Sequence, residues 1–386
     1  MTTARELPES VDVLVVGGGP AGATAARHLA LAGREVVVLE KAAMPRHKPC
    51  GGGVPGHTLH TLDIDISPVV DARVSQVVLD GAWTGRQRYT IDAPCVVVER
   101  ARFDAFLLDA ARQAGAQVIE RCALKTAARA ADGGFVVETP QGVIRARTIV
   151  AADGAYSPTA KALGMGAHEA QGVALEALVA FDDRHSEADR RTAVFEFATV
   201  KRGYSWVFPR GNVMNVGVGT GRPGEGRTLR DRLAAFMQRV PELRGREVTQ
   251  IKGGQLPDFC SPRERFTDRG LYLVGDAAGF IDPLTGEGIH LAVLSGRRAA
   301  EAIASGGGGG ELQYEAALAA EVLPELRYAA RYASRYRRVP SWLFRAAMCS
   351  GRFRRYASHF VNILSGAGSY AAMWRALHPR RTRPPV

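Results

Sequence analysis

The fold of this chain is decided by residues 11–40, which read VDVLVVGGGPAGATAARHLALAGREVVVLE. The stretch begins with a short apolar run, Val11–Val16, of the kind found in strands that are buried on both faces. A glycine turn follows at once, with glycines at Gly17, Gly19 and Gly22. In this spacing the first glycine permits a tight turn, the second lets the backbone approach a pyrophosphate, and the third lets a helix pack closely on the strand.

The residues after the glycine turn complete a unit of the kind that binds a dinucleotide. A helix is predicted from Pro20 to about Ala32, and its N-terminal N–H groups and positive dipole end would face the pyrophosphate. A second strand is predicted from Glu35 to Leu39, and Glu40 stands at its tip. Because a carboxylate in that place can accept both ribose hydroxyls, the stretch favours FAD or NAD over NADP.

The positive charge of the chain is concentrated near its C-terminus. The 386 residues carry a formal net charge of +11, and a chain of that length is expected to form two or three structural units. Thirteen arginines and no acidic residue occur from Arg327 onward, which leaves −2 for the rest of the chain. Aromatic residues are interleaved with these arginines, namely Tyr328, Tyr332, Tyr336, Trp342, Phe344, Phe353, Tyr356, Phe360 and Trp374.

The basic, aromatic segment allows two interpretations, which are peripheral contact with an anionic membrane surface and a solvated arginine face on terminal helices. No nucleic-acid-binding signature accompanies it, so we expect no nucleic-acid partner. The chain has no window of 18 uninterrupted apolar residues and no apolar signal region in MTTARELPES, so neither a transmembrane helix nor a signal peptide is predicted. Five widely spaced cysteines without a CxxC pair indicate a reducing compartment and no metal site. We therefore expect a cytoplasmic protein, with any membrane contact at the inner membrane face.

Strand and helix patterns divide the chain into a discontinuous nucleotide-binding domain, a second sheet and a helical end. We predict the nucleotide-binding domain at residues 1–60, 100–165 and 266–305, the substrate-binding sheet domain at 61–99 and 166–265, and a basic helical region at 306–386.

Local patterns within these units predict individual elements. Residues 41–59, with two prolines followed by three consecutive glycines, are expected to lack regular structure. Residues 60–99 alternate weakly and are expected to form short strands. The last residues, from Arg375 to Val386, are expected to be disordered. Helices are predicted at Arg102–Ala114, Leu229–Val240, Gly288–Ile303, Glu311–Arg338 with a break at Pro324, and Ser341–Phe360.

A second glycine-rich motif occupies residues 275–289 and reads GDAAGFIDPLTGEGI. It follows the apolar strand residues LYLV and opens a predicted helix. Asp276, at the end of that strand, can accept a hydrogen bond from a ribityl hydroxyl. The turn into Ile289 offers backbone N–H groups to a flavin ring edge or a phosphate. Paired with the first glycine turn, this motif favours a flavin nucleotide.

Three stretches resemble the geranylgeranyl reductase branch of the flavoprotein family that also includes aromatic hydroxylases and flavin-dependent halogenases. They are RHKPCGGG at residues 46–53, YSWVFP at 204–209 with NVGVG at 215–219, and the motif at 275–289. The resemblance implies an α/β fold with a Rossmann-type FAD-binding domain of the aromatic-hydroxylase-like kind. It also implies an antiparallel-sheet substrate domain and a C-terminal helical region.

The resemblance also implies which residues contact FAD and substrate. The implied FAD contacts are Gly17, Gly19, Gly22, Ala23, Glu40, Lys41, Cys50, Gly51, Gly53, Arg100, Leu124, Asp276, Gly286, Gly288 and Ile289. Tyr204, Trp206 and Phe208 are the implied contacts of a prenyl chain, although ordinary sheet core is the other interpretation. Cys50 is the implied catalytic residue beside the flavin, as a proton donor or a group that orients substrate. Its other interpretation is a small side chain in a tight loop.

The implied reaction is reduction of isolated C=C bonds of a hydrophobic prenyl chain by hydride from reduced flavin. Such an alkene has no carbonyl to polarise it, so we expect protonation toward a tertiary carbocation in a site that excludes water. The alternative enzyme is an FAD-dependent monooxygenase or halogenase acting on a secondary metabolite. The alternative outside catalysis is a flavin-binding protein that sequesters lipid or serves as a redox partner.

The electron donor stays open between NAD(P)H and a ferredoxin-like carrier. Aromatic hydroxylases carry an Asp-Gly motif followed by an arginine that serves FAD and NADPH. Here Asp153-Gly154 is followed by AYSPTAK, which contains no arginine. Direct reduction by NADPH in the hydroxylase manner therefore does not follow from the sequence.

Overall fold

The strands and helices of this computed structural model assemble two sheets of eight strands each within the described ranges, residues 6–81, 85–166, 172–197, 199–221, 225–256, 265–306, 309–339 and 351–378. The strands are β1 Ser10–Val16, β2 Val36–Leu39, β3 Gly53–Val54, β4 Val70–Asp80, β5 Arg86–Val98, β6 Gln117–Ile119, β7 Thr126–Arg129, β8 Phe135–Thr139, β9 Gly142–Ala151, β10 Gly172–Ala180, β11 Thr192–Glu196, β12 Gly203–Arg210, β13 Val213–Thr220, β14 Thr249–Leu256, β15 Thr267–Asp268 and β16 Leu271–Leu273. The helices are α1 Pro20–Leu31, α2 Gly56–Leu62, α3 Arg100–Gln113, α4 Pro158–Ala162, α5 Leu229–Arg239, α6 Ile289–Ala304, α7 Gly310–Glu321, α8 Leu323–Arg338, α9 Gly351–Ser365 and α10 Tyr370–Leu377.

The first sheet is the predicted nucleotide-binding sheet. Its strands run in the order β15-β16-β9-β1-β2-β6, and β1 pairs in parallel with both β2 and β9. Val13, Leu14 and Val15 are fully buried, as expected for a strand covered on both faces. The strands β7 and β8 continue from β9 as an antiparallel meander. The predicted Rossmann-type α/β fold is confirmed.

The second sheet interrupts the first one twice in the chain. Its order is β14-β10-β13-β12-β11-β4-β5-β3, and the pairs are antiparallel except for β11 with β4. Helix α5 covers one face, where Leu233 and Phe236 pack against aliphatic side chains such as Val216. The opposite face carries aromatic side chains and is turned toward the loop at Cys50. The two sheets therefore meet at that loop, while the exact domain boundaries stay a prediction.

Two expectations for residues 41–99 were wrong. Gly53–Val54 forms β3 by pairing with β5, and α2 begins directly after Pro55, whose φ of −66° suits a helix start. The predicted short strands are two long ones, β4 and β5. Register shifts along this pair interrupt the regular alternation of apolar and polar residues, which explains why the sequence pattern looked short.

The C-terminal helices α8, α9 and α10 each bury side chains against the rest of the protein, while arginines such as Arg327 stay exposed. The break predicted at Pro324 is confirmed, since α7 ends at Glu321 and α8 begins at Leu323. Tyr328 and Trp374 are buried together, with ring centroids 6.0 Å apart. The prediction of disorder from Arg375 onward was wrong for 375–377, which belong to α10 and are anchored by Trp374. Residues 341–350 and 379–386 lie outside the described ranges, as do Trp342, Phe344 and the side chain of Phe353.

These contacts bear on the expected membrane surface. Of the interleaved aromatic residues, Tyr328 and Trp374 are buried, whereas Tyr356 is 40% exposed. Much of the aromatic content therefore stabilises the helical layer itself. Across the described residues, no helix is both long enough and apolar enough to cross a membrane.

Candidate active site

The first glycine turn has the geometry that its spacing predicts. Gly17 has a φ of +107°, and a Cβ there would lie 2.3 Å from the carbonyl oxygen of Ala152. A Cβ on Gly22 would lie 1.9 Å from the carbonyl oxygen of Gly17, so α1 packs against the turn only because this residue is glycine. Gly19 is the N-cap of α1 and makes no side-chain cap. The Ala23 N–H already donates to the Gly19 carbonyl at 2.8 Å, so the N–H groups left for a ligand anion are those of Ala21 and Gly22 before it.

Glu40 lies against the same turn with both carboxylate oxygens engaged. It is 2% exposed, and it accepts hydrogen bonds from the N–H groups of Gly18 at 2.8 Å and Ala42 at 3.0 Å. The Arg46 Nε lies 3.3 Å from its Oε1, and the Nη1 of the same guanidinium lies 3.3 Å from Asp104. The carboxylate is thus held in one orientation beside the glycine turn. Two other predicted contacts differ in exposure, since Lys41 is exposed and Leu124 is partly buried.

The loop at Cys50 is fastened to the second sheet by side chains that the sequence reasoning did not select. The Cys50 N–H donates to the Glu176 carboxylate at 2.8 Å, and the Asn215 amide donates to the Cys50 carbonyl at 3.3 Å. The same Asn215 amide donates to Glu176 at 3.1 Å and accepts from the Trp206 indole at 2.8 Å. Glu176 could have been found in the sequence as the single charge within the apolar strand VALEALVAF.

On its other side Cys50 contacts Arg100, the first residue of α3. The Arg100 guanidinium is buried and donates to both carboxylate oxygens of Asp104, at 2.7 and 2.9 Å. Burial alone would lower the pKa of Arg100, but the paired Asp104 carboxylate outweighs burial and raises it. The guanidinium therefore stays charged, and Cys50 lies between this cation and the second sheet.

Glycines let the Cys50 loop approach the aromatic side chains of β12. A Cβ on Gly51 would lie 2.7 Å from the Phe208 ring, whereas one on Gly53 would meet the same ring at 3.6 Å. Gly52 has a φ of +79°, and a Cβ there would lie 2.1 Å from the Val98 carbonyl oxygen. The three consecutive glycines thus serve close packing of the loop on the second sheet.

Aromatic side chains line the face of the second sheet that is turned toward this loop. We call this set the aromatic face; its members are Tyr204, Trp206 and Phe208 of β12 with Phe195 of β11 and Phe197, which directly follows β11. The Phe195 ring lies 5.2 Å from that of Phe208 and 5.8 Å from that of Tyr204, measured between centroids. Trp206 crosses Gly217 so closely that a Cβ on this glycine would lie 2.1 Å from the indole. Tyr336 and Phe360, from α8 and α9, pack against Phe197 at the far end.

The second glycine motif joins the two sheets at the same place. Asp276 follows β16 and accepts a hydrogen bond from Lys48 at 3.2 Å, so it contacts the basic end of the Cys50 loop. The Tyr204 hydroxyl donates to the carbonyl of Thr285, and Gly286 beside it has a φ of +71°. Gly288 and Ile289 then open α6. The predicted flavin and substrate contacts are therefore neighbours in the fold.

The turn before α6 holds a buried carboxyl group, Asp282, and a half-buried one, Glu287, that sequence reasoning missed. Asp282 accepts hydrogen bonds from the N–H groups of Leu284 at 2.7 Å and Thr285 at 3.0 Å, and from the Tyr370 hydroxyl of α10 at 2.7 Å. Burial raises the pKa of Asp282 against these donors. Burial also raises the pKa of Glu287 to about 8. The C-terminal helix α10 is thereby tied directly to the candidate site.

Several of the predicted site residues lie near one another where the two sheets meet, while their contacts with a cofactor or substrate stay predictions. The glycine turn, Glu40 and the free end of α1 fit a dinucleotide, because they combine an open backbone cradle with a fixed carboxylate. Lys48 of the Cys50 loop contacts Asp276, which precedes the opening of α6 in the chain.

Comparison with known proteins agrees with this geometry. Residues 10–309 match the family described as FAD binding domain. The chain is 34% identical over 321 residues to digeranylgeranylglycerophospholipid reductase 2 of Methanothermobacter thermautotrophicus, covering 76% of this chain and 79% of that protein. It is 32% identical over 323 residues to the chloroplastic geranylgeranyl diphosphate reductase of Nicotiana tabacum, covering 76% of this chain and 66% of the relative. The chain thus spans about two thirds of that plant protein.

A solved structure shows the same fold over nearly the whole chain. It is a geranylgeranyl bacteriochlorophyll reductase-like protein from Thermoplasma acidophilum, with a TM-score of 0.80, 24% identity and 96% of each chain covered. The family match and the glycine cradle together indicate FAD as the cofactor. The resemblance seen in the sequence is confirmed: the chain belongs to the geranylgeranyl reductase family of FAD-dependent oxidoreductases.

Proposed function

We propose that this protein reduces isolated carbon–carbon double bonds of a prenyl chain. The observation that carries the proposal is the aromatic face, which lies directly against the Cys50 loop, with Phe208 packed on Gly51. Tyr204 and Phe208 are half-buried and would offer apolar surface to a hydrocarbon chain, whereas Trp206, Phe195 and Phe197 are buried in the core of the sheet. The names of the relatives, which are reductases of geranylgeranyl compounds, support the same substrate class.

Different residues of the site would bind different parts of FAD. Gly17, Gly19 and Gly22 with the start of α1 would hold the pyrophosphate of FAD, and Glu40 its ribose. FAD, when bound and reduced, supplies the hydride that alkene reduction needs. The Cys50 loop and the opening of α6 would flank its ring.

Reduction of the double bond also needs a proton, which a residue of the chain must supply. We propose Cys50 as the catalytic residue, with the proton held at its Sγ between Arg100 and the aromatic face. Tyr204 and Phe208 would hold the alkene in place and exclude water. Water excluded from the site cannot attack a developing carbocation. Burial, with Asp282 and Cys50 nearby, raises the pKa of Tyr204, so its phenol stays protonated at neutral pH.

The electron donor is proposed to be either NAD(P)H or a ferredoxin-like carrier. The Asp153 carboxylate accepts hydrogen bonds from the Ser157 hydroxyl at 2.5 Å and the Thr159 N–H at 2.8 Å. Asp153 therefore stabilises the start of α4. Residues 155–161 contain no arginine that could replace the arginine of the hydroxylase motif. Anaerobic titration with NADPH, NADH and then dithionite decides between the donors. Bleaching by dithionite alone would indicate a separate carrier.

The proposal is tested with purified, FAD-loaded protein reduced without oxygen. We expect geranylgeranyl lipids to reoxidise the flavin and to gain two hydrogen atoms per double bond reduced, as read by mass spectrometry. The Cys50→Ala variant should bind FAD and lose this turnover. Substrate-dependent consumption of O₂ and NAD(P)H without prenyl reduction would instead support the monooxygenase or halogenase.

Peripheral membrane contact by the C-terminal helices is a separate part of the proposal. It is supported by exposed arginines such as Arg327, Arg338 and Arg375, and residues 327–386 contain no aspartate or glutamate. It is weakened by the burial of Tyr328 and Trp374. Sedimentation with anionic and with neutral vesicles distinguishes the two interpretations, since charge-driven binding should be lost at high salt.

A further inference from the structure

A buried carboxylate in the second sheet has no role in the reaction described so far. Glu176 is 5% exposed and lies within β10, among apolar residues of the strand. Its Oε2 accepts hydrogen bonds from the Cys50 N–H and the Asn215 amide, and its Oε1 lies 3.2 Å from the His47 Nε2. Burying a carboxylate is costly unless it is well bonded, and the bonds of Glu176 include one to the backbone of Cys50.

The cross-strand register explains how Glu176 reaches the loop. Glu176 lies opposite Gly217, and Gly217 lies opposite Trp206 on the next strand. Residues directly opposite one another share a face of the sheet, and Asn215, two residues along, shares it too. The absence of a side chain on Gly217 leaves room for the indole beside Glu176. All three polar groups therefore face the Cys50 loop rather than α5.

The hydrogen bonds among these groups fix the direction of each one. The indole is a donor only, so the Asn215 oxygen must face Trp206. The Asn215 nitrogen then points to Glu176 and to the Cys50 carbonyl. Both backbone polar groups of Cys50 are consequently bonded to the second sheet.

Glu176 differs in its hydrogen-bond partners from Glu196, another buried carboxylate of the same sheet. Glu196 on β11 is fully buried, and both its oxygens accept hydrogen bonds from Arg239, at 2.7 and 3.1 Å. Glu196 lies opposite Ser205 on the neighbouring strand. Because Ser205 is next to Trp206 in the chain, Glu196 points to the face of the sheet opposite to that of Trp206. The one possible cationic partner of Glu176 named above is His47. Burial and Lys252 lower the pKa of His47, which leaves this histidine largely neutral at pH 7. Glu176 is thus bonded mainly to amides, whereas Glu196 forms a conventional ion pair.

We propose that Glu176 and Asn215 are positioning residues that hold the Cys50 thiol between Arg100 and the aromatic face and link its position to Trp206. They act through Cys50 and contact neither the reacting atoms nor the hydride donor. The catalytic part of this inference rests on the proposed function. The positional part does not, because it concerns only how firmly the loop is held.

The positional part is tested by the rate at which iodoacetamide labels Cys50 in the FAD-loaded protein, resolved by peptide mass spectrometry. Labelling of a half-buried thiol is faster when the loop opens, and the lost bonds shift the loop toward open states. Hydrogen bonds to a charged group are about twice as strong as neutral ones. We therefore expect labelling about fivefold faster in Glu176→Gln, which keeps an acceptor oxygen, and at least about tenfold faster in Glu176→Ala.

Glu196→Gln is the matched control, because it neutralises a buried carboxylate on the other face of the sheet. We expect it to label Cys50 at the wild-type rate. Cys95 provides an internal reference for unfolding in every sample. Burial raises the pKa of its thiol to about 12, so we expect it to stay unlabelled while the protein is folded. Should Glu176→Ala fail to fold, the nearly isosteric Glu176→Gln still decides the question. Labelling within twofold of wild type in the Glu176 variants, or an equal rise in Glu196→Gln, would overturn the proposal.

Prenyl turnover supplies a second readout. A misplaced group beside the reacting atoms lowers kcat by up to about 10²-fold, so we expect Glu176→Ala to lose at least tenfold in kcat with KM within about twofold. A change confined to KM would contradict a positioning role. If wild-type protein reduces no prenyl lipid, the proposed function fails, while the labelling series still tests the position of Cys50.

Discussion

Glu287 gives a sharp test of the electrostatics around the turn before α6. Burial raises the pKa of this carboxyl group to about 8, with Asp282 adding to the effect and the N–H of His290 opposing it. A glutamate in an unfolded chain titrates near about 4.3. The folded protein therefore keeps a proton that the unfolded chain releases. The stability associated with that proton is complete below about pH 4 and is lost progressively as the pH rises to about 8.

We expect the Glu287→Gln variant to remove this loss, because an amide cannot ionise and still accepts the N–H of His290 at the 2.6 Å contact. Between about pH 5 and about pH 8 the variant should gain about 3 kcal/mol of unfolding free energy relative to the wild type, worked from the two pKa values. The assay is urea unfolding at five or six pH values, with the free energy extrapolated to zero denaturant.

Glu301 supplies a control of opposite sign. Burial acts to raise its pKa, but hydrogen bonds from Arg298 and Arg297 outweigh burial and lower it. Glu301→Gln should therefore be less stable than wild type at neutral pH, with the deficit fading as the pH falls through the acid range. Parallel wild-type and Glu287→Gln curves from about pH 5 to about pH 8 would refute the reasoning, because Glu287 would then titrate as a solvated carboxyl.

Three further variants test packing and ligand contacts. Gly217→Ala should lose about 1–3 kcal/mol by overpacking, since its Cβ would lie 2.1 Å from the Trp206 indole, whereas Gly219→Ala, with 3.6 Å to its nearest atom, should unfold like wild type in urea. Tyr370→Phe removes a hydroxyl that donates to a buried carboxylate and should cost about 1.5–3 kcal/mol in the same assay. Gly19→Ala should fold normally, because its nearest neighbour lies 3.5 Å away, yet bind FAD at least tenfold more weakly by fluorescence titration.

Short-range patterns predicted the first sheet well. The turn from Gly17 to Gly22 depends on residues within a few positions of each other, and so does the helix that it opens. The two glycine motifs also sufficed to indicate a flavin nucleotide, because each lies between an apolar strand and a helix. Such signals are local, and the sequence displays them directly.

The elements that were missed depend on distant partners. The strand β3 exists because Gly53–Val54 pairs with β5, more than 40 residues away. The bond from Cys50 to Glu176 spans 126 residues, and that from Asn215 to Cys50 spans 165. The sequence left two interpretations of the basic, aromatic segment open, and the structure buries Trp374 against α8. Residue type alone does not reveal which of these partners will meet.

Prenyl reduction is tested most directly by mixing dithionite-reduced, FAD-loaded protein with a geranylgeranyl lipid in the absence of oxygen and following flavin absorbance together with product mass. We expect the oxidised flavin bands to return at the same rate as a product with two added hydrogens per double bond, and both signals to vanish in Cys50→Ala. A flavin that stays reduced beside unchanged lipid, or one that reoxidises only when O₂ is admitted, would contradict the proposed reaction.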